Sequence, residues 1–322
     1  MNSPRSHPSV RPLPVPRVLV IVGPTASGKT LVSLRVAELL KGEIISADSR
    51  QIFKYLDIGT AKPTPEQRHK IRHHFVDELK PDQDFNAGEF GLRGREVIQA
   101  ILDRRRVPIV IGGSGLYVRS LIDGFFEGPG ADPEYREILE ARLKKEGLEA
   151  LLAELRAVDP DFVRTVDVTK PRRILRALEV HHIVGEPLSR LQKERVPEIN
   201  FRSVQFGLLW ERKELYARIN ARCDEMLASG LLTEVESLEK QGYQRDLQSL
   251  NTVGYAEAFA YRNGEISYDE MVRLLRQNSR RYAKRQLTWF RRDDRIRWIS
   301  IESEEGLEVA AEEIAKHFER ET

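Results

Sequence analysis

The segment that most constrains this chain is Gly23-Pro24-Thr25-Ala26-Ser27-Gly28-Lys29-Thr30. It matches the pattern G-x-x-x-x-G-K-[ST], which forms a phosphate-binding loop between a β-strand and an α-helix. Both flanks agree with that context. The preceding run Arg17–Val22 is rich in β-branched residues, and a helical pattern follows from Lys29 to Lys41. The sequence therefore predicts a P-loop that begins an α/β sheet.

The residue types in this loop suit a diphosphate. Glycine lets the backbone N–H groups converge on phosphate oxygens, and the start of the following helix adds a positive dipole end. Lys29 neutralises the terminal phosphate, and the Thr30 hydroxyl is suited to hold Mg²⁺. We therefore expect residues 23–30 to bind a diphosphate, with Mg²⁺ as the cofactor and Thr30 as its protein ligand.

Further strands are predicted at Glu43–Ala47, Val107–Ile111, Val204–Trp210 and Arg297–Ile301, with a helical segment around Phe90–Arg105. Strands that alternate with helices indicate a parallel sheet covered by helices. The predicted fold is α/β, a P-loop NTPase-like parallel sheet flanked by helices, with an all-helical insertion domain.

The insertion is predicted from a change in composition. Glycine and proline cluster between Gly124 and Pro133, and helical patterns without a clear strand follow to about Arg195. We therefore predict an insertion domain at 125–203, within a core domain formed by 17–124 and 204–322. The proline-rich residues 1–16 are predicted to be a disordered tail.

Composition excludes several classes of protein. No apolar run approaches the roughly 20 residues of a membrane helix. The single cysteine, Cys223, forms neither an internal disulfide nor a thiolate metal cluster, which fits a reducing compartment. The net charge of +2 neither requires nor excludes a nucleic-acid partner. We expect a cytoplasmic protein that acts as a monomer, without membrane association.

The P-loop alone does not decide the reaction, because most proteins with this loop are ATP- or GTP-binding kinases and hydrolases. Such enzymes usually carry an acidic residue after an apolar strand to manage Mg²⁺ and water. Strand Val107–Ile111 is followed instead by Gly112-Gly113-Ser114-Gly115, whereas Asp48 follows Glu43–Ala47. From the residues alone, Asp48 is a candidate base, a metal ligand or an N-capping carboxylate.

Four further parts of the sequence accompany the P-loop. They are Asp48–Gln51 with Asp57–Pro63, Gly112–Tyr117, Arg172–Glu179 and Lys284–Arg291. Together with the P-loop they resemble the tRNA dimethylallyltransferases, also called tRNA isopentenyltransferases. The resemblance extends from about Arg17 to Ile299 and is to the bacterial form, since no cysteine- and histidine-containing extension follows.

The resemblance implies transfer of the dimethylallyl group from dimethylallyl diphosphate to the exocyclic N6 amine of the adenosine 3′ of the anticodon of tRNA. The implied catalytic residues are Asp48 as the base, Thr25, Lys29 and Arg222, the last as a clamp on the diphosphate. The anticodon stem-loop would be the partner. The residues implied in binding it are Asp48, Ser49, Arg50, Gln51, Ser114, Arg136, Arg172, Arg173, Ile174, Leu175 and Arg176.

A cationic stripe is predicted on a helix over residues 271–289. At about 100° per residue, the stripe contains Arg273, Arg276, Arg280 and Lys284. Packing against the core is predicted for the opposite side, which carries Met271, Leu275, Tyr282 and Trp289. The stripe is consistent with binding to the phosphate backbone of RNA and equally with an ordinary solvated face.

Two other functions stay open on the sequence. A kinase of a small metabolite fits the P-loop equally well, but it gives no purpose to the insertion or to the basic clusters. A non-catalytic RNA-binding protein with a relic P-loop is disfavoured by the intact Lys29, Thr30 and Asp48.

Overall fold

The computed structural model describes residues 15–124, 128–194 and 198–321. The chain divides into two compact units. One unit combines Met1–Val118 with Asn200–Thr322 and contains the sheet, and the other is Arg119–Ile199. Residues 1–14, which make up most of the predicted disordered tail, lie outside the described residues.

Six parallel strands form the sheet of the first unit, in the order β3-β2-β4-β1-β5-β6. They are β1 Arg17–Val22, β2 Gly42–Ser46, β3 His73–His74, β4 Val107–Gly112, β5 Arg202–Trp210 and β6 Ile296–Ile301. The side chains of Val18–Val22 are fully buried, as expected for a central strand of a parallel sheet covered on both faces. The predicted α/β fold with a helix-flanked parallel sheet is confirmed.

The helices occupy the stretches of chain between and after the strands, with several in succession before β5 and before β6. In chain order they are α1 Lys29–Leu40, α2 Pro65–Lys70, α3 Ala87–Asp103, α4 Gly115–Ile122, α5 Pro133–Glu146, α6 Leu148–Val158, α7 Pro160–Thr165, α8 Pro171–Val184, α9 Leu188–Glu194, α10 Arg212–Ala228, α11 Leu231–Lys240, α12 Tyr255–Arg262, α13 Tyr268–Phe290 and α14 Glu305–Arg320. Within the described residues, none is long and apolar enough to span a bilayer.

The parallel sheet decides where the sequence motifs meet. The carboxyl ends of parallel strands lie at one edge, where ligands bind in open α/β sheets. The P-loop follows β1, Asp48 follows β2 by two residues, and Gly113 follows β4. Because β4 lies between β1 and β2, Asp48 is two strand spacings, about 10 Å, across the edge from the P-loop strand.

The second unit has its own hydrophobic core. Helices α5, α6, α8 and α9 supply it, and among its fully buried side chains are Leu139, Leu151, Leu155, Ile174 and Leu191. Asp159 connects α7 and α9, because it caps Phe162 N–H at 3.0 Å and accepts the Ser189 N–H at 2.8 Å.

A buried carboxylate, Glu179 on α8, also organises this unit. It accepts hydrogen bonds from Arg136 Nη2 at 2.9 Å, Arg176 Nη1 at 2.7 Å and the Asp132 N–H at 2.9 Å. Burial raises the pKa of Glu179, but these hydrogen bonds outweigh burial and hold the pKa below its usual value. The carboxylate therefore stays ionised and ties α8 to the start of α5.

The sequence analysis differs from the structure in two details. Strand β3 is not predicted, because two residues are too few to show a strand pattern. The insertion was placed at 125–203, where glycine and proline cluster, whereas the second unit runs from Arg119 to Ile199. The difference at the first boundary arises because α4, which begins in the first unit, continues past Val118 to Ile122.

Candidate active site

A cavity opens at the carboxyl edge of the sheet in the first unit. The P-loop contributes Thr25, Lys29 and Thr30 to its lining, and Asp48 contributes from the loop after β2. Helices α10 and α13 form another wall, which includes Arg222. The four residues implied in catalysis, Thr25, Lys29, Asp48 and Arg222, therefore share one cavity.

The P-loop is held from outside by side chains of distant elements. Gly28 has φ 84°, a backbone conformation that favours glycine, and a Cβ atom there would lie 2.6 Å from Leu307 Cδ2 on α14. Both the backbone conformation and the available space therefore require glycine. Arg218 Nε donates to the Ala26 carbonyl at 2.8 Å, and Trp210 Nε1 donates to the Ser27 carbonyl at 3.1 Å. These contacts hold the loop in its curled conformation before any ligand binds.

Two cations at the loop, Lys29 and Arg222, donate to neutral oxygens in the part of the chain that the structure describes. Lys29 Nζ donates to the Pro24 carbonyl at 2.7 Å, and Arg222 Nη1 donates to Thr25 Oγ1 at 2.7 Å. Within the described residues, Arg222 Nε and Ser27 Oγ are buried without a hydrogen-bond partner. Buried polar atoms are normally satisfied in native proteins, and Arg222 lines the cavity, so its unpaired Nε indicates a place for a ligand with acceptor oxygens.

The charges in the cavity point to the same ligand. Burial, together with the Arg222 charge, lowers the pKa of Lys29 to about 7, although Asp48 acts in the opposite direction. Burial also lowers the pKa of the Arg222 guanidinium, again opposed by Asp48. The cavity thus contains two poorly solvated cations, Lys29 and Arg222, and one carboxylate, Asp48, to balance their charge. A bound dianion or trianion would relieve this imbalance.

Asp48 lies in a network of hydrogen-bonded loops. Asp48 Oδ1 accepts the Arg50 N–H at 2.9 Å, and Ser114 Oγ accepts the Ser49 N–H at 3.1 Å. Tyr282 on α13 lies beside them; burial, with the Asp48 charge, raises its pKa to about 12. Its hydroxyl is therefore a neutral donor at physiological pH. The sequence interpretation treated Tyr282 as a core residue, whereas it lines the cavity.

Gln51 contributes to the wall of the cavity through its amide. Its Oε1 accepts from Ser46 Oγ at 2.9 Å, and its Nε2 is 3.3 Å from the carbonyls of both Thr60 and Ala61. Glu234 on α11 fixes the same loop, accepting the N–H groups of Asp57, Ile58 and Gly59 at 3.0, 2.8 and 3.2 Å. Gln51 therefore has a structural contact in addition to the predicted RNA contact.

An apolar wall completes the cavity, and sequence reasoning missed it. It consists of Ile219, Cys223, Met226, Val253 and Leu275. The first three fall on one face of α10 at i, i+4 and i+7, beside Arg222. On α13 the cavity-facing positions are Leu275, Ser279, Tyr282 and Gln286, again at helical spacing. The helical spacing of these positions on α10 and α13 is the signal in the sequence from which they could have been found.

The residues of the second unit implied in RNA binding separate into three groups. Ile174 and Leu175 are 0% and 7% exposed and belong to the hydrophobic core, so the expectation that their side chains contact RNA is corrected. Arg136 and Arg176 are partly exposed but paired with Glu179. Arg172 and Arg173 are exposed at the start of α8 and form no direct ion pair within the described residues. Hydrogen bonds from Thr169 and, to a smaller extent, the charge of Arg173 lower the pKa of Asp167.

The cationic stripe on α13 is paired with acidic side chains at two of its four positions. Arg273 pairs with Glu270 at 2.6 Å, Arg276 pairs with Asp224 at 2.5 Å, and Arg280 donates to Asn220 at 2.6 Å. Of the two interpretations left open by the sequence, these contacts favour an ordinary solvated face for the first part of the stripe. Among the residues that the structure describes, Lys284 has no such partner.

Comparison with known proteins gives consistent matches. Residues 51–293 match the family model described as IPP transferase. The tRNA dimethylallyltransferase 1 of Trichlorobacter lovleyi is 48% identical over 286 residues, or 88% of this chain and 94% of that protein. The crystal structure of the tRNA isopentenylpyrophosphate transferase of Bacillus halodurans has a TM-score of 0.69 and 37% identity, covering 94% of this chain and 97% of that one.

A third match concerns the fold. A eukaryotic dimethylallyltransferase, described in crystallographic snapshots of its action on tRNA, has a TM-score of 0.75 and 24% identity, over 88% of this chain and 74% of that one.

We predict that binding of inorganic diphosphate takes up a proton at Lys29. With a pKa of about 7, Lys29 is mostly neutral at pH 8, and an adjacent anion restores the ammonium form. Diphosphate affinity should therefore fall as pH rises above 7, by up to about tenfold per pH unit. Calorimetry at pH 8 in two buffers of different ionisation enthalpy measures the uptake.

The control is Lys29→Arg, which keeps a permanent charge and so reports only the protonation of diphosphate itself. Equal proton uptake by the two proteins would show that Lys29 is already charged in the free protein.

Proposed function

This chain belongs to the IPP transferase family, and we infer that it transfers the dimethylallyl group of dimethylallyl diphosphate to the exocyclic N6 amine of the adenosine 3′ of the anticodon of tRNA, releasing diphosphate. One observation carries the inference for this chain in particular. The cavity combines a cationic cradle at the P-loop, a carboxylate at Asp48 and an apolar wall.

These three components match the three parts of the reaction. The diphosphate needs hydrogen-bond donors and positive charge, which the P-loop N–H groups, Lys29 and Arg222 offer. The five-carbon dimethylallyl group needs apolar surroundings, which residues such as Ile219 and Leu275 supply. The amine needs a proton acceptor, and Asp48 is the carboxylate that the cavity lining contains.

The transfer is a substitution at the allylic carbon. The bond from that carbon to the bridging oxygen of diphosphate breaks as the bond from the adenine N6 to the same carbon forms. Negative charge grows on the leaving oxygens, where Lys29 and Arg222 stabilise it. The amine loses one proton, for which Asp48 is the proposed base. Thr25, whose hydroxyl accepts from Arg222, would lie between the leaving group and the amine.

Mg²⁺ is part of the proposal, and the residues present fit it in one form. No cluster of three or more histidine, cysteine or acidic side chains able to hold a metal occurs in the described residues. Mg²⁺ commonly takes one or two protein ligands and completes its shell with phosphate oxygens and water. The Thr30 hydroxyl, at the cavity surface, would be that ligand. The ion would neutralise charge on the diphosphate when bound.

The adenine must leave its stack to react. The target amine belongs to a base stacked in the anticodon loop, whereas Asp48 and the P-loop lie within a cavity. Flipping a base out of its stack costs a few kcal/mol, which binding of the rest of the RNA must offset. We therefore expect the anticodon stem-loop to be a substrate and the free nucleoside not to be one. We further propose a monomeric cytoplasmic enzyme.

Besides the cavity, the start of α8 on the unit Arg119–Ile199 is suited to RNA binding. Helix α8 starts after Lys170 without a side-chain cap, and its first turn contains no acidic residue. Instead it carries Arg172 and Arg173, although cations at a helix N-terminus oppose the helix dipole. This arrangement weakens the helix but concentrates positive charge at its start, as binding to RNA phosphates requires.

The direct test uses radiolabelled dimethylallyl diphosphate and an unmodified anticodon stem-loop. We expect the wild-type protein to place the label on the RNA, and Asp48→Asn to do so about 10²–10⁴-fold more slowly in single turnover. Stem-loop binding by Asp48→Asn, measured on filters, should stay close to wild type. Transfer of label from [γ-³²P]ATP to a small molecule would instead support a kinase. An unchanged rate in Asp48→Asn would show that Asp48 is not the base.

The double variant Arg172→Gln with Arg173→Gln is expected to weaken tRNA binding and flatten its salt dependence. Each lost phosphate contact removes about one unit from the slope of log affinity against log salt. Affinity for dimethylallyl diphosphate should hardly change. The matched control is Arg156→Gln with Arg164→Gln, which removes the same charge from exposed cations that already have acidic partners. Equal slopes for the two double variants would contradict the RNA contact.

A further inference from the structure

The side-chain amide of Gln286 joins two loops that are far apart in sequence. Its Oε1 accepts the Thr25 N–H of the P-loop at 2.8 Å, and its Nε2 donates to the Gly113 carbonyl after β4 at 3.0 Å. Because an N–H can only donate and a carbonyl can only accept, the orientation of the amide is determined. Gln286 is 7% exposed, so neither bond is easily replaced by water.

The backbone at Gly113 is adapted to this contact. A Cβ atom at that position would lie 2.0 Å from Gln286 Nε2, well inside van der Waals contact. Glycine therefore allows the amide to approach the chain, and any side chain would push Gln286 and the two loops apart.

The two loops correspond to the two substrates of the proposed function. On one side, Thr25 accepts from Arg222 within the diphosphate cradle. On the other side, Gly113 is followed by Ser114, whose Oγ accepts the Ser49 N–H next to Asp48. An unbroken series of contacts thus runs from the donor cradle to the proposed base, and Gln286 is the member that crosses between the loops.

We propose that Gln286 is a positioning residue that sets the alignment of the prenyl donor with the acceptor amine. It acts through Thr25 and Ser114, and the inference rests on the proposed function. Without the amide, each loop retains its other contacts and each substrate still binds. The two reacting atoms are then no longer held in register, and a misplacement of about 1 Å costs about 10²-fold in rate.

The test combines Gln286→Met, which keeps the size but removes both hydrogen bonds, with Gly113→Ala, which displaces the amide. Each is expected to lower the single-turnover rate at saturating substrates by about 10- to 100-fold. Affinities for inorganic diphosphate alone and for the stem-loop alone should stay within about threefold of wild type. The double variant should be no slower than the slower single variant, because both changes break the same bridge.

The control is Gln99→Met on α3, the same substitution at an exposed glutamine whose amide donates to Asp103 at 2.8 Å. Its rate should equal that of wild type. Three outcomes would overturn the inference: rates close to wild type in both single variants, losses that saturating donor restores, or loss of affinity for both ligands. Absence of transfer by the wild-type protein would instead contradict the proposed function.

Discussion

The organisation of this protein depends on buried positive charges that a single carboxylate offsets only in part. Lys29 and Arg222 line one cavity with Asp48, and within the described residues the Arg222 Nε is buried without a hydrogen-bond partner. In the free protein this costs stability, since burial lowers the pKa values of both cations. The P-loop keeps this unfavourable arrangement because Arg218, Trp210 and Leu307 hold it from outside. The cradle is thus formed before its ligand arrives, which is the preorganisation that stabilisation of a leaving diphosphate requires.

The topology of the sheet separates the two ends of the reaction. Because β4 lies between β1 and β2, the strand that leads into the P-loop and the strand that leads to Asp48 are about 10 Å apart. The Asp48 side chain nevertheless acts on the pKa values of both Lys29 and Arg222, so the three charged groups face one cavity. Side chains connect the loops along this edge. Arg222 on α10 donates to Thr25, and Gln286 on α13 joins Thr25 after β1 to Gly113 after the adjacent strand β4. Ser114 then accepts the Ser49 N–H of the loop after β2.

The sequence predicts those parts of the structure that have a local signature. The P-loop has its spacing of glycine, lysine and threonine, and β1 and β4 are short apolar runs of the type typical of buried parallel strands. Contacts between distant residues have no such signature: Thr25 and Gln286 are 261 positions apart. The sequence predicts Tyr282 in the core, because a cavity wall and a core give the same apolar face of a helix. The motif predicts Ile174 and Leu175 at the RNA surface, whereas their 3.6-residue periodicity places them inside.

The central claim is that one cavity brings a diphosphate and an unstacked adenine together. A crystal structure of the protein with inorganic diphosphate and an unmodified anticodon stem-loop tests it most directly. We expect the diphosphate in the loop Gly23–Thr30, within hydrogen-bond distance of Lys29 and Arg222. We also expect the adenine flipped out of its stack, with N6 about 2.6–3.2 Å from an Asp48 carboxylate oxygen. An adenine that stays stacked, or one that enters a different part of the protein while diphosphate occupies the P-loop, would contradict the account.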